Sequence, residues 1–253
     1  MKKGLFRDLR AEIRRDHGIT KRSINFIPFE DWRSKLSEYP KDFEEEYARD
    51  LALLRRKLKV NNLQRVENSD KRLILFVGIP GSGKTTLANI VQKSIPNTIL
   101  LRGHDIVDML ELYGKNVELY RRRLRERGFT YPDPWYISYL YQEHLTRDWL
   151  NLGYNVVFDD HIRTVRNRLG YHKLAGKCGA KSVFIQINAP FGTYLERGEG
   201  DVDDEKKNFL ANMVLQSQDF SEEERRKYDQ IIMVDGTLRI RAIERDIHTQ
   251  LET

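Results

Sequence analysis

The 253-residue sequence predicts an α/β fold, with a mostly parallel five-stranded sheet flanked by helices and a helical extension at its amino end. The first observation is a set of short uninterrupted apolar runs, the form taken by strands that are buried on both faces. The second is helical periodicity between these runs, because parallel strands need crossover connections. The third is a glycine-rich loop that joins the first run to a helix.

The first 68 residues are predicted to form a basic helical region ahead of the main domain. Residues 1–23 carry eight Lys or Arg against three Asp or Glu, and their leucine and isoleucine residues recur at helical spacing. A second helix is expected after Pro40. The basic helix can track nucleic-acid phosphates, or it can be a solvated helix packed on the main domain.

The main domain, residues 69–253, contains the apolar runs that are predicted to be strands. These are residues 73–77, 98–101, 156–158, 181–187 and 230–234. Asp133 and Pro134 predict the start of a helix, and Gly153 predicts its end. A polar segment that contains glycine, near residues 191–210, is predicted to be a mobile lid.

Residues 78–85, GIPGSGKT, match the pattern G-x-x-x-x-G-K-[ST] at every fixed position. The backbone N–H groups of such a loop turn inward around a polyphosphate, and the following helix points its positive end at the same charge. Lys84 is the predicted contact to the β- and γ-phosphates, and the Thr85 hydroxyl is a predicted Mg²⁺ ligand. The predicted nucleotide-binding residues are Gly78, Ile79, Pro80, Gly81, Ser82, Gly83, Lys84, Thr85 and Thr86.

Two acidic residues follow predicted strands and are candidates for the chemistry. Asp105 comes after the second strand, which we expect beside the strand of the phosphate loop, and it is a candidate base for an attacking hydroxyl. An ordinary helix N-cap is the alternative for Asp105. Asp159 follows the third strand directly and is the predicted Mg²⁺ ligand opposite Thr85.

Cationic and aromatic side chains concentrate in residues 119–141, a mixture that suits a nucleic-acid or nucleotide acceptor. The predicted acceptor-binding residues are Arg121, Arg122, Arg125, Tyr131, Trp135, Arg163 and Arg166. The alternatives for them are a solvated charged face and aromatic core packing. In the lid, Arg197 is the predicted clamp on transferring charge, with Lys206 and Lys207 as alternatives.

The composition sets broad limits on partners and compartment. Charged residues are 32% of the chain, the net charge is +6 and the pI is about 9.2, which favours an anionic partner. The single cysteine, Cys178, excludes an internal disulfide framework and suits a reducing compartment. No apolar run approaches a membrane span, and charges interrupt the amino end where a signal peptide needs its apolar core. We therefore expect a cytoplasmic protein without a membrane partner.

The order of these motifs resembles a known family. GIPGSGKTTLA, an Asp after the second strand, VVFDD before an arginine-bearing helix, and INAP followed by YLER are similar to the P-loop phosphotransferases. That group includes polynucleotide 5′-hydroxyl kinases, seryl-tRNA kinases and zeta-type toxins. The similarity covers about residues 71–237 and implies a P-loop kinase fold. By this resemblance Lys84 and Thr85 bind ATP or GTP and magnesium, Asp105 is the general base, and Arg197 is a lid arginine.

Two positions depart from the polynucleotide kinases. In those enzymes the Asp that acts as general base is usually followed by an arginine that holds the acceptor phosphate. Here Ile106, Val107 and Asp108 follow Asp105 instead. Their lid tends to carry paired arginines, whereas this lid turns acidic after Arg197. The resemblance therefore implies the type of reaction more strongly than it implies the acceptor.

Together these features predict an ATP- and Mg²⁺-dependent kinase that transfers the γ-phosphoryl group to a hydroxyl of a nucleic acid, with RNA or tRNA preferred. Two alternatives stay open. One is a small-molecule kinase that acts on a nucleoside, a nucleotide sugar or an antibiotic. The other is a nucleotide-gated module that binds RNA or a protein through its basic region.

Overall fold

The structure, a computed structural model, describes residues 4–17, 41–58, 64–110, 134–160, 162–197 and 203–251. Two helices precede the sheet in the described part of the chain. They are α1, Leu5–His17, and α2, Lys41–Lys57. Both agree with the helices that the sequence predicts in the amino-terminal region.

Five strands in the described ranges form one sheet. They are β1 Arg72–Val77, β2 Thr98–Arg102, β3 Asn155–Asp159, β4 Lys181–Asn188 and β5 Gln230–Asp235. Their order is β2-β3-β1-β4-β5, and all four pairings are parallel, which confirms the predicted fold class. The expectation that β2 lies beside β1 is wrong, because the crossover after β1 skips one position and β3 later fills it.

Helices connect the strands and cover both faces of the sheet. They are α3 Lys84–Ser94, α4 Gly103–Met109, α5 Pro134–Asn151, α6 Val165–Lys177, α7 Phe191–Arg197, α8 Asp204–Gln216, α9 Glu222–Lys227 and α10 Ile240–Leu251. Pro134 and Gly153 bound α5 as predicted, and a Cβ on Gly153 would lie 1.8 Å from the carbonyl oxygen of Val66. None of the described helices combines the length and apolar character that a membrane crossing requires.

The side chains of β1 alternate between two separate regions of the core. Leu73, Leu75 and Val77 belong to the larger cluster, to which α1, α2 and α5 contribute. Ile74 and Phe76 point to the opposite face and pack with residues of α3 and α10. Because both faces of this strand are buried, its sequence is an uninterrupted apolar run rather than an alternating one.

Helix α1 packs on the main domain. Its buried residues in the larger cluster are Phe6, Leu9 and Ile13. The carboxylate of Asp219 accepts hydrogen bonds of 2.8 and 3.0 Å from two backbone N–H groups in the first turn of α1. The Glu12 carboxylate accepts a 2.8 Å bond from the N–H of Phe191, where α7 begins. These contacts agree with the packed-helix alternative, while the domain boundary near residue 68 stays a prediction.

A buried ion pair joins α6 to α9. The guanidinium of Arg168 donates to the carboxylate of Glu224 at 2.7 and 3.0 Å, and its three other N–H groups donate to backbone carbonyls of residues 163, 218 and 219. Burial raises the pKa of the Glu224 carboxyl, but the hydrogen bonds and charge of Arg168 outweigh this effect, so the pKa is lowered overall. This network fixes the segment from which Asp219 reaches α1.

Replacing Glu224 by Ala should lower the free energy of unfolding by about 3–5 kcal/mol, because it leaves the Arg168 charge buried without its counter-ion. Urea denaturation followed by circular dichroism measures this change. Asp16→Ala is the control, since it removes the exposed pair with Arg15 and should leave the unfolding midpoint unchanged. A midpoint for Glu224→Ala equal to that of the control would show that the buried pair does not stabilise the fold.

Candidate functional site

The loop between β1 and α3 turns sharply at two glycines. Gly81 has φ 78° and Gly83 has φ 91°, both in the left-handed region that residues with a Cβ rarely adopt. Gly83 is also the N-cap of α3. The loop therefore brings the free N–H groups of the first turn of α3 to the carboxyl edge of the sheet. Thr85 and Thr86 are exposed on that turn.

Lys84 begins α3, and its side chain folds back over the loop. Its Nζ donates a 2.8 Å hydrogen bond to the carbonyl oxygen of Ile79 and a 3.4 Å bond to the hydroxyl of Ser82. The residue is only 6% exposed. A cation held over a loop that begins a helix is suited to bind a polyphosphate, because the N–H groups of the first helical turn attract the same charge.

Charged neighbours from β3 and the loop after it act on Lys84. Burial lowers the pKa of Lys84 from 10.5 to about 8, while the carboxylates of Asp159 and Asp160 raise it and the guanidinium of Arg163 lowers it. Two predicted site residues, Asp159 and Arg163, are therefore brought into electrostatic contact with the loop. Lys84 therefore stays mainly protonated at pH 7 but loses its proton at a lower pH than an ordinary lysine does.

The end of β3 places its two carboxylates on opposite sides. Asp159 shares the face of Val157, which packs with residues of α3, and its side chain is 7% exposed. Asp160 lies on the other side and accepts hydrogen bonds from the Tyr139 hydroxyl, at 3.2 Å, and the Gln142 amide, at 3.4 Å. Burial and the charge of Asp160 raise the pKa of Tyr139. Of the two carboxylates, Asp159 is the one that faces the helix bearing Thr85.

Asp105 lies in the first turn of α4, which begins directly after β2. The N-cap of this helix is Arg102, so the N-cap alternative for Asp105 is wrong. The Asp105 side chain is 41% exposed, and its Oδ2 lies 3.9 Å from Nη1 of Arg102. An accessible carboxylate at this edge is available to an incoming hydroxyl, and the base role stays a prediction.

A cavity of about 450 Å³ lies beside the phosphate loop. Its lining residues are Ser82, Gly83, Thr86, Leu87, Arg197, Gly236, Thr237, Leu238, Arg239, Ile240 and Ile243. Arg197, at the end of α7, donates a 2.7 Å hydrogen bond from Nη1 to the carbonyl oxygen of Gly236. The predicted lid includes α7 and the start of α8, and residues 198–202 between them lie outside the described ranges.

The lining of the cavity includes residues that we did not predict from sequence. Leu238, Arg239 and Ile240 follow β5 and form one wall, and the side chains of Leu238 and Ile240 are 48% and 43% exposed. Their only sequence signal is their position shortly after the strand predicted at residues 230–234. Apolar side chains beside a phosphate loop suit the flat face of a nucleotide base.

The residues predicted to bind the acceptor differ in whether the structure describes them and in whether they are buried. Arg121, Arg122, Arg125 and Tyr131 lie outside the described residues, and Trp135 lies in α5 without a described side chain. Arg163 is buried and donates from Nη1 to the carbonyl oxygen of Met213 at 3.3 Å. Arg166 is exposed. The exposure of Arg166 agrees with the solvated-surface alternative, which is wrong for the buried Arg163. No acceptor contact is tested for any of these residues.

The residues near the loop fit a magnesium ion by their chemistry. Thr85 offers an exposed hydroxyl and Asp159 a carboxylate, which are the hard oxygen ligands that Mg²⁺ prefers. Within the described ranges no cluster of three or more His, Cys, Asp or Glu is placed to hold a metal ion. Two protein ligands suffice for Mg²⁺ bound with a nucleotide, because phosphate oxygens and water complete its coordination.

Comparison with known proteins supports the fold. A family model described as an AAA domain matches residues 73–231, from β1 into β5. The solved structure of a putative kinase from Chloroflexus aurantiacus is similar with a TM-score of 0.51 and 16% identity, covering 74% of this chain and 98% of that chain. At this identity the likeness shows the fold alone. No curated protein sequence matches significantly.

Two further solved structures have TM-scores below 0.5. A sugar kinase from a Janibacter species has a TM-score of 0.48 at 15% identity, covering 72% of this chain and 95% of that chain. A structure of the PezAT toxin–antitoxin system of Streptococcus pneumoniae has a TM-score of 0.44 at 18% identity, covering 85% and 98% respectively. Neither similarity decides what this chain acts on.

The affinity for ATP should fall as pH rises above about 8. Polyphosphate binds the protonated form of Lys84, and the protein without nucleotide loses that proton near pH 8 because burial lowers the pKa. The affinity should fall by up to about tenfold per pH unit above this point. Isothermal titration calorimetry between pH 7 and 9.5 measures it, and binding at pH 8 should take up protons.

Lys84→Arg is the matched control, because a guanidinium stays charged throughout this range. Its affinity, whatever the absolute value, should not vary between pH 7 and 9.5. A wild-type affinity that is equally constant, without proton uptake at pH 8, would contradict the lowered pKa of Lys84.

Proposed function

The chain belongs to the AAA domain family, and from this premise we propose that it is an ATP- and Mg²⁺-dependent kinase that phosphorylates a hydroxyl of a nucleic acid. The observation that carries the proposal is the burial of Lys84 in the phosphate loop, within the field of the carboxylates that end β3. A candidate base, Asp105, lies at the same edge of the sheet, because parallel strands end together.

In this proposal the nucleotide is bound at two places. The N–H groups of the loop and the Nζ of Lys84 hold the β- and γ-phosphates, and the cavity lined by Leu238 and Ile240 receives the base. Thr85 and Asp159 would hold Mg²⁺, which supplies charge neutralisation at the phosphate oxygens. Arg197, which lines the same cavity, would neutralise charge on the transferring group.

Asp105 would act on the acceptor. Its carboxylate positions the acceptor hydroxyl and takes its proton as the oxygen bonds to the γ-phosphorus. The bond between the γ-phosphorus and the bridging oxygen breaks, and ADP leaves with that oxygen. The protein thus contributes mainly position and charge, since this reaction needs little covalent chemistry from side chains.

The choice of a nucleic-acid acceptor, with RNA or tRNA preferred, rests on charge and composition. The net charge is +6, and residues 119–141 combine arginines with aromatic side chains that can stack on bases. Arg163 adds a cation near Lys84. Membership of the polynucleotide kinase, seryl-tRNA kinase and zeta-type toxin group remains part of this proposal, as does the cytoplasmic location.

Transfer of labelled γ-phosphate from ATP tests the function. We expect label in 5′-hydroxyl RNA or total tRNA, and a loss of at least about 10²-fold in Lys84→Ala and Asp105→Asn, because each removes a group that acts on the reacting atoms. Thermal unfolding should show that both variants remain folded. Asp108→Asn is the matched control, since Asp108 is an exposed carboxylate one turn further along α4 and should keep wild-type transfer.

The acceptors offered in this assay separate the alternatives. Label confined to a small-metabolite extract would replace the nucleic-acid acceptor with a small molecule. ATP binding without label in any fraction would favour the nucleotide-gated module. Full transfer by Asp105→Asn would remove Asp105 from the mechanism.

A further inference from the structure

We propose that Arg102 is a positioning residue. It holds the candidate general base, Asp105, and the predicted magnesium ligand, Asp159, in place relative to α3, the helix that follows the phosphate loop. This inference rests on the proposed function, and it assigns a role to a residue at the end of β2. The residues involved are Asn89 on α3, Arg102 on β2, Asp105 on α4 and Asp159 on β3.

The register of the sheet places Arg102 beside Asp159. The two residues are Cα partners in the parallel pairing of β2 and β3, so their side chains leave the same face of the sheet. Two residues earlier, Leu100 and Val157 are also partners, and both pack in the cluster to which α3 contributes. Arg102 and Asp159 therefore face α3, the helix that begins at Lys84.

A side-chain amide anchors the guanidinium to that helix. The Nη2 of Arg102 donates a 2.6 Å hydrogen bond to Oδ1 of Asn89. The amide nitrogen of Asn89 donates a 2.7 Å bond to the carbonyl oxygen of Thr85, one turn earlier on α3. Asn89 thus connects Arg102 to the turn that carries the predicted magnesium-binding hydroxyl.

The remaining donors of Arg102 point at the two carboxylates. Nε lies 3.9 Å from Oδ2 of Asp159, and Nη1 lies 3.9 Å from Oδ2 of Asp105. Nε is buried and has no hydrogen-bond partner among the described residues. At 3.9 Å the cation attracts both carboxylates without a direct hydrogen bond, which leaves their oxygens available for other ligands.

The chemistry of arginine suits this position. One planar guanidinium presents donors in three directions, so a single side chain can hold Asn89 while facing both carboxylates. Its charge also offsets the repulsion between the two carboxylates, because it lies at equal distance from each. A lysine would supply the charge as a single point and could not keep this orientation.

Arg102→Ala tests the proposal, with Arg102→Lys and Asn89→Ala as partial changes. We expect Arg102→Ala to lower kcat about 10- to 100-fold, with little change in KM for ATP, since residues that orient metal and acid–base groups have effects of this size. Arg102→Lys should recover part of this loss. Asn89→Ala should reproduce part of it, and the double variant should fall short of the product of the two single effects.

A second measurement does not depend on turnover. Fluorescence titration of a labelled ADP, with and without Mg²⁺, gives the gain in affinity that Mg²⁺ provides. This gain should fall about 10-fold or more in Arg102→Ala, while the affinity without Mg²⁺ stays within about twofold of the wild type. A purely structural role would lower the melting temperature without changing this gain.

Arg55→Ala is the control for general destabilisation. Arg55 is another half-buried arginine, and it pairs with Asp148 at 2.6 Å between α2 and α5, away from the loop. Its loss should lower the melting temperature and leave the magnesium-dependent gain unchanged. If Arg102→Ala behaves like Arg55→Ala, with both kcat and the gain retained, the proposal is wrong. If the wild type transfers phosphate to no acceptor, the proposed function fails, and the titration alone decides the role of Arg102.

Discussion

The structure depends on the burial of β1 between two parallel neighbours. β3 and β4 pair with it on either side, and apolar clusters cover both of its faces. Since every pairing in the sheet is parallel, the strands end at one common edge. The phosphate loop and the carboxylates of Asp105 and Asp159 lie there because the topology leaves that edge free for polar residues.

The carboxylates of Asp159 and Asp160 both act on Lys84, but their hydrogen-bond and ion-pair neighbours differ. On the α3 side, Lys84, Asp159 and Arg102 form a group that the phosphate-loop helix anchors. On the α5 side, Asp160 is bound by Tyr139 and Gln142. The group on the α3 side lies beside the phosphate loop, where it is available to a bound nucleotide. The hydrogen bonds of Asp160 instead connect the end of β3 to α5. Two adjacent acidic residues thus have different environments because side chains alternate across a strand.

The amino-terminal helix is connected to the carboxyl edge of the sheet through a chain of polar contacts. Arg168 fixes the chain near residue 219, and Asp219 then accepts hydrogen bonds from the first turn of α1. Glu12 in turn binds the first N–H of α7, the helix that ends at Arg197 in the cavity. The apolar face of α1 is part of the larger core cluster, although the helix also carries basic residues. This helix therefore packs as part of the main domain.

Sequence alone determined the phosphate loop, the five strands and the α/β class, because these depend on local patterns: a motif of eight residues, apolar runs, and helix signals such as Pro134 and Gly153. Only the tertiary structure decided that β3 lies between β1 and β2, that Arg163 and Arg168 are buried, and that Arg102 faces Asp105 and Asp159. These features join residues that are distant in the sequence. From sequence alone, charged side chains in or near a helix are predicted to be exposed to solvent. Whether neighbouring elements pack over them and bury them depends on the tertiary structure.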